Sequence, residues 1–430
     1  MPPPTQRVTS GMRRGRSNRR HGLLGCNLSM TRQGIQVVIV GGGIVGLATA
    51  RALAPSLGEQ LTVLEAETHP AGHQTGNNSG VIHSGLYYRP GSAKATTCAA
   101  GREAMYRFCE RHEIPHHRCG KLVVATRERE LPALAELERR GRANGLTGLR
   151  RLAAEELSEV EPAAAGIAGL RVAETGIVDY RVVAAKLVER LATRGVRLRT
   201  GWRLTAVHRQ PGGQRLVTTG GELTCRLLVN CAGLQCDRVA RLCGHRPQAR
   251  IVPFRGEYHR LIEQQAKRVR ALIYPVPDPQ MPFLGVHVSR HIDGSVEAGP
   301  NAVLALARHG YSWGRISPRD TLETLTYAGF WRLAPNWWRT GVAEVWRSLN
   351  RAAMARELSR LMPGLRKSDL LASGAGVRAQ AVSADGRLLD DFLIQEEPGA
   401  VHVLNAPSPA ATASLAIGRA IAEKVLARLG

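Results

Sequence analysis

The chain has 430 residues, 43% of them hydrophobic, which exceeds one usual core, so two domains or one elaborated α/β unit are expected. Its formal charge of +24 comes mostly from Arg, and only seven arginines lie in the first thirty-two residues; the basicity is spread along the body and favours anionic partners such as phospholipid headgroups, nucleic acid or an acidic substrate. Eight scattered cysteines with no CxxC spacing argue against a zinc site or a disulfide framework, and no apolar run reaches the ~18 residues that a bilayer-spanning helix needs.

Residues 1–34 are rich in Pro, Arg, Ser and Gly, lack periodicity and are expected to be a disordered basic leader. Met30, just before the first strand, suggests that translation starts there; an Arg-rich transit peptide is the alternative. The leader has no apolar segment of the kind a signal peptide needs, and the cysteines are expected as reduced thiols in the cytoplasm.

Residues 37–46 (VVIVGGGIVG) combine a run of β-branched residues with glycines at 41, 43 and 46, and helical spacing follows from Ile44 to Leu53. This is a strand, a phosphate loop and a helix whose N-terminus points N–H groups at a pyrophosphate, with Gly46 permitting close helix–strand packing. A second strand at 61–64 ends in Glu65, nineteen residues after Gly46, where an acid can hold ribose hydroxyls. Glu65 therefore points to FAD or NAD rather than NADP.

Residues 75–88 are small and polar and predict a loop along the flavin or nicotinamide end of the dinucleotide. Helices are expected at 91–113 and 128–144, with a strand at 121–126 between them. Residues 175–180 lead into a helix at 181–194, then strands at 196–200 and 205–209. A second buried strand, 226–233, ends in small residues before a helix at 236–243. Alternating strands fill 251–300, with turns at 275–282 and 293–294, and 319–362 reads as helix interrupted at Pro335. A strand at 400–404 precedes a final helix running through Leu429. The expected fold is α/β, a dinucleotide-binding (FAD or NAD) Rossmann-like domain assembled from discontinuous segments (35–90, 171–245 and 371–430) plus an α+β substrate domain with a mixed sheet, supplied by insertions at 91–170 and 246–370.

Several distinctive stretches follow one another along the chain: 37–46, 78–85 (NSGVIHSG), 253–258 (PFRGEY), 274–279 (YPVPDP), 283–287 (FLGVH), 293–296 (DGSV), 299–303 (GPNAV), 376–380 (GVRAQ) and 405–412 (NAPSPAAT). Through them the chain from about 36 to 430 resembles the FAD-dependent D-amino acid oxidase superfamily and, within it, the L-2-hydroxyglutarate oxidase/dehydrogenase family. The resemblance implies FAD as cofactor and oxidation of L-2-hydroxyglutarate to 2-oxoglutarate by hydride transfer to flavin, with electrons passed to a membrane quinone or to oxygen. The nearest alternative is a relative acting on another 2-hydroxy acid, an amino acid or glycerol 3-phosphate. A nucleic-acid-binding protein is disfavoured, because no RRM, KH or helix-turn-helix signature is present and the basic residues are not clustered.

Oxidising a 2-hydroxy acid requires a base for the hydroxyl proton and cations for the carboxylates. Arg378 suits the α-carboxylate, since its fork meets a carboxylate bidentately, and the superfamily's corresponding arginine often has that role. Arg255 is the candidate for a distal carboxylate, with a structural ion pair as the equal alternative. Tyr258 and Tyr274 are candidate hydrogen-bonders to substrate oxygens. His287 is read as the base and His83 as a flavin-side residue, an assignment that could be reversed. Gly41, Gly43, Gly46, Glu65, Asn78, Ser79 and Gly80 are expected to contact FAD; Val207 to bond the adenine, as its superfamily counterpart does; Ala232 and Gly233 to line the pyrophosphate. Pro409, Ala410, Ala411 and Thr412 are expected to offer N–H groups near the flavin O2.

Residues 327–347 hold four of the six tryptophans (331, 337, 338 and 346) interleaved with Arg332, Arg339 and Arg347. They read as a helix lying in a membrane interface, which would put the protein on the inner face of the cytoplasmic membrane near quinone, or equally as a packed helical cap. The oligomeric state is not legible.

Overall fold

Four consecutive β-branched residues make Val37–Val40 a strand buried along its whole length, and a six-stranded sheet is built around it. The order is Leu393–Glu397, Ala400–Asn405, Leu227–Asn230, Val37–Val40, Leu61–Leu64 and Arg197–Arg199. All neighbours run parallel except the antiparallel edge strand Leu393–Glu397. The computed structural model describes residues 34–278 and 284–430. Residues 1–33 of the leader and half of the turn expected at 275–282, namely 279–282, with Phe283 of the FLGVH motif, lie outside the described residues.

Helix Ile44–Leu57 crosses the final helix Ala410–Leu429, and that helix crosses Ala93–Arg111. Glycines set both crossings: a Cβ at Gly418 would lie 2.5 Å from the Ala48 backbone, and one at Gly101 2.5 Å from the Ala413 Cα. The apolar faces of these helices and of Tyr180–Ala192 close over the parallel sheet in one core, which includes Val37, Ile39, Leu47, Leu187, Val229 and Ile421.

A second, nine-stranded mixed sheet takes Lys121–Ala125, Leu149–Ala153 and Ala168–Val172 from the first insertion. The second insertion supplies Ala249–Leu261, Leu272–Pro275, His287–Arg290, Val296–Gly299 and Val303–Leu304. Leu272–Pro275 runs parallel to Lys121–Ala125, so one sheet joins the two insertions. The long strand Leu370–Ser383 pairs antiparallel along nearly all of Ala249–Leu261, which aligns Gly256 with Gly376 and Phe254 with Arg378.

The helical stretch after residue 318 corrects one expectation. Helix Ala328–Leu349 runs straight through Pro335. The breaks fall instead at Thr326 and Tyr327, and at Asn350, whose side chain accepts from the Ala352 and Ala353 N–H groups and caps Arg351–Leu358. An interior proline removes one backbone hydrogen bond, and the helix continues because flanking side chains such as Leu333 and Trp337 remain packed against Val252 and Val382. Among the described residues no helix is long and apolar enough to cross a membrane.

Candidate active site

A cavity of about 1450 Å³ is lined by residues of both sheets. It exceeds the roughly 300–1,000 Å³ of an ordinary small-ligand pocket. At one end lie the glycine loop, Glu65 and Trp202–Thr205; at the other, His83, Tyr258, Tyr274, His287 and Arg378.

The loop glycines have separate reasons. A Cβ at Gly41, where φ is +116°, would lie 2.4 Å from the Cys231 carbonyl oxygen, and one at Gly46 would lie 2.0 Å from the Gly41 carbonyl oxygen. Both are packing glycines, and Gly46 does not reach the cavity. At Gly43 the nearest atom is Thr75 Oγ1, at 3.4 Å, and the position faces the cavity. Glu65 is buried and orders the loop: one carboxylate oxygen accepts from the Gly42 N–H at 2.8 Å and the other from the Glu67 N–H at 2.9 Å. Thr75, read from sequence only as the start of a loop, accepts from the Ile44 N–H at 2.9 Å and so caps the first helix.

Asn78 ties its own loop together. Its amide donates to the Gln74 and Thr75 carbonyls, and its Oδ1 accepts from the Gly80 N–H. Asn78 and Ser79 line the cavity, while Gly80, at φ +66°, holds the neighbouring strand through its carbonyl, which accepts from the Val178 N–H. Ala232, Gly233, Pro409, Ala410 and Ala411 also line it. Thr412 does not: fully buried, its hydroxyl accepts from the His83 N–H at 3.0 Å and donates to the Val81 carbonyl, fastening the last helix to the strand before His83. Val207 is also off the wall. It sits within strand Leu204–Gln210 opposite Leu216, and Leu204 and Thr205 take the wall positions instead.

At the far end, alternation along paired strands decides which side chains meet. Gly256 and Tyr258, alternate residues of one strand, line the cavity together with the consecutive run Gly376, Val377, Arg378, Ala379 and Gln380 of its partner. Arg255 therefore faces the other way, 2% exposed, with its guanidinium 3.2 Å from Glu257 and 4.2 Å from the Trp313 ring centroid. Of the two readings of Arg255, a distal-carboxylate contact and a structural ion pair, the geometry shows the ion pair: a one-residue offset from Gly256 places it off the cavity wall.

His287 stacks on Tyr274 at 3.9 Å between ring centroids, with 17° between planes. Its Nδ1 lies 2.8 Å from the Gly285 carbonyl, a contact that only an N–H can make favourable, so Nε2 is left as the acceptor nitrogen. Burial, with smaller contributions from Lys121 and Arg378, holds His287 down at about 3. His83 is likewise lowered to about 3, by burial and then Lys121. Burial also lowers Arg378, against the opposing influence of Tyr258 and Glu344. Tyr87 and Tyr88 complete the wall, and neither was singled out from sequence. Both stand in the loop after the NSGVIHSG stretch, where the adjacent aromatic pair was the available signal.

Residues 36–424 match the FAD dependent oxidoreductase family. The chain belongs to that family. It is 47% identical over 397 residues to the L-2-hydroxyglutarate dehydrogenase of Indibacter alkaliphilus, covering 91% of this chain and 99% of that one. It is 45% identical to the L-2-hydroxyglutarate dehydrogenase of Escherichia coli strain K12, covering 90% and 92%. Among solved structures it resembles the FAD-bound L-alpha-glycerophosphate oxidase of Mycoplasma pneumoniae, with a TM-score of 0.74, 23% identity and coverage of 91% and 94%, a likeness of fold. The chain is thus an FAD-dependent oxidoreductase, and its residues fit the cofactor: the cavity, at about 1450 Å³, is large enough for a dinucleotide, and Gly43 keeps open the space that a side chain would fill.

Proposed function

We propose that this oxidoreductase converts L-2-hydroxyglutarate to 2-oxoglutarate. The observation that carries the reading is the 47% and 45% identity to two L-2-hydroxyglutarate dehydrogenases over about nine-tenths of the chain. The grouping of Arg378, Tyr258, Tyr274 and His287 at one end of the cavity supports it. Bound FAD supplies the hydride acceptor. In this reading Gly43, Ala232 and Gly233 adjoin its pyrophosphate, Glu65 its ribose, and the Ala410 and Ala411 end of the last helix its flavin O2. Asn78 and Ser79 hold the loop beside it.

Arg378 binds the α-carboxylate with its planar fork, and Tyr258 beside it donates to a substrate oxygen. His287 receives the hydroxyl proton at Nε2, because its Nδ1–H is committed to Gly285 and burial keeps the ring uncharged. His83 closes the flavin side. The test is anaerobic bleaching of the bound flavin by a panel of L- and D-2-hydroxy acids; the L-diacid should bleach it fastest, and bleaching by glycerol 3-phosphate or an amino acid instead would replace the substrate assignment.

We propose further that the protein works at a membrane surface and passes electrons to quinone. Helix Ala328–Leu349 carries Trp331, Trp338, Val342, Val345, Trp346 and Leu349 exposed. At 100° per residue these six fall within an arc of about 100°, one continuous stripe. Arg339 lies beside it, its guanidinium 5.4 Å from the Trp338 ring centroid. An apolar stripe of tryptophans edged by Arg suits the headgroup layer of a bilayer.

A further inference from the structure

Lys121 opens the strand Lys121–Ala125 and is 1% exposed. Its ammonium lies 4.2 Å from the Tyr274 ring centroid and 4.7 Å from that of Tyr87, two rings that line the cavity. The same Tyr274 ring stacks on His287. Among the described residues, the titratable groups around Lys121 are these two phenols, the Cys98 and Cys119 thiols and the His83 and His287 imidazoles, with no carboxylate among them. Lys121 itself stands behind the wall; basic side chains that do line the cavity face acids: Lys94 faces Asp390 and Asp391, Arg203 pairs with Glu67, Arg238 with Asp320 and Glu323, Arg241 with Asp237, and Arg319 with Glu323. A fully buried ammonium without a counter-charge is unfavourable until an anion comes near it.

A 2-hydroxy diacid needs compensation for two carboxylates. Arg378 serves one, and Arg255, the other sequence candidate, is turned away to Glu257. We infer that Lys121 is the positioning residue that selects a dicarboxylic substrate, its charge acting through the Tyr87 and Tyr274 wall on the distal carboxylate. The inference rests on the diacid reading of the substrate. Cation–ring contact leaves the positive field directed at whatever occupies the other side of the wall, and the low polarity of the site strengthens it.

Proton linkage provides a readout independent of turnover. Burial lowers Lys121 to about 7, whereas the two thiols are raised to about 12 and about 11 and the two imidazoles lowered to about 3. Near pH 8 Lys121 is then largely neutral in the free protein, and a dianion bound nearby raises its proton affinity. Binding of a diacid should take up a proton; binding of a monoacid held by Arg378 should not.

The holoenzyme is titrated calorimetrically with glutarate, which lacks the hydroxyl and cannot react, and with butyrate, in two buffers of different ionisation enthalpy. For glutarate the expected result at pH 8 is uptake approaching one proton, with binding about tenfold weaker at pH 8.5 than at pH 6.5 because the free lysine has lost its proton. Lys121→Met should abolish both effects. It should also raise the half-saturating L-2-hydroxyglutarate concentration for flavin bleaching by about tenfold, with L-2-hydroxybutyrate within about twofold of wild type, and Lys121→Arg should restore the diacid preference. No proton uptake and a pH-independent glutarate affinity in the wild-type protein would overturn the inference, whether or not the variants fold. Equal losses for the diacid and the monoacid in Lys121→Met would overturn it too. If wild-type flavin is bleached equally well by monoacids and diacids, the diacid reading itself falls and the inference with it.

Discussion

Two arginines that look alike in sequence end with opposite fates. PFRGEY and GVRAQ each place an arginine among small or aromatic neighbours, and only the pairing of their strands separates Arg378, facing the cavity, from Arg255, facing Glu257. That face is set by a register made over more than a hundred residues of sequence separation, which no local pattern contains. Arg378→Lys keeps the charge but loses the fork, so kcat/KM for flavin reduction should fall by about 2–3 kcal/mol, roughly 30- to 160-fold. An unchanged value would remove Arg378 from the substrate. Arg255→Lys should leave kcat/KM near wild type. The histidines carry a second prediction. An unfolded imidazole titrates near 6.5, whereas His83 and His287 are held at about 3 and His402 at about 4, by burial first in each case. Their folded values are depressed, so between about pH 6.5 and 4 the unfolded chain binds more protons than the folded one. Stability is therefore fully present above pH 6.5 and is lost as pH falls, with each group contributing up to about 1.4 kcal/mol per pH unit. Urea unfolding should give a markedly smaller free energy at pH 5 than at pH 7. For the same reason flavin reduction should show no imidazole limb near pH 6.5; such a limb, removed by His287→Ala, would mean that the ring is solvated.

At the scale of elements, legibility followed the strength of local pattern. The strand, glycine loop and helix at 37–57 were plain because β-branched residues, glycines and helical spacing agree over a short span. Strand Leu370–Ser383, the longest in the molecule's described residues, went unread. Its sequence is Ala, Gly and Ser in the middle, of low β-propensity, and it is a strand because Ala249–Leu261 pairs with it and because small residues are needed beside the cavity: a Cβ at Gly376 would lie 2.8 Å from the Asn77 carbonyl oxygen. The same reasoning distinguishes two glycines of the phosphate loop. Gly46→Ala drives a methyl group into the Gly41 backbone, so it should destabilise the fold, by about 1–3 kcal/mol or more, whether or not cofactor is present. At Gly43 an added Cβ meets only an ordinary contact, Thr75 Oγ1 at 3.4 Å, so Gly43→Val fails chiefly against the pyrophosphate. It should give a folded, colourless protein with a thermal transition close to that of flavin-free wild type. A full flavin complement in the Gly43 variant would show that the loop has been assigned wrongly.

Across the whole molecule, the positive charge and the tryptophan stripe point the same way, and the structure changes which tryptophans matter. Trp337 and Phe330 pack against the cluster of Val252, Tyr327 and Val382, and Arg347 turns inward to pair with Glu344 and Glu357. Trp331, Trp338 and Trp346 stand 57%, 58% and 59% exposed on the outer face, with Leu322 and Leu325 of the preceding helix exposed as well. The helix is thus a cap on one face and, among the described residues, an exposed apolar surface on the other. A ring buried at headgroup depth gains from apolar transfer, and each basic residue near an anionic surface adds roughly 1 kcal/mol, so a few of each give reversible attachment without a spanning segment. Sedimentation with vesicles containing phosphatidylglycerol should carry the protein down at low salt and less of it at high salt. Replacing Trp338 and Trp346 with Ser should release it with flavin content unchanged, whereas Trp337→Ser should cost stability instead. If the wild-type protein stays in the supernatant at low salt, and the Trp338 and Trp346 variant changes its oligomeric state in solution, the stripe joins two copies of the chain and the electrons leave by oxygen or a soluble carrier.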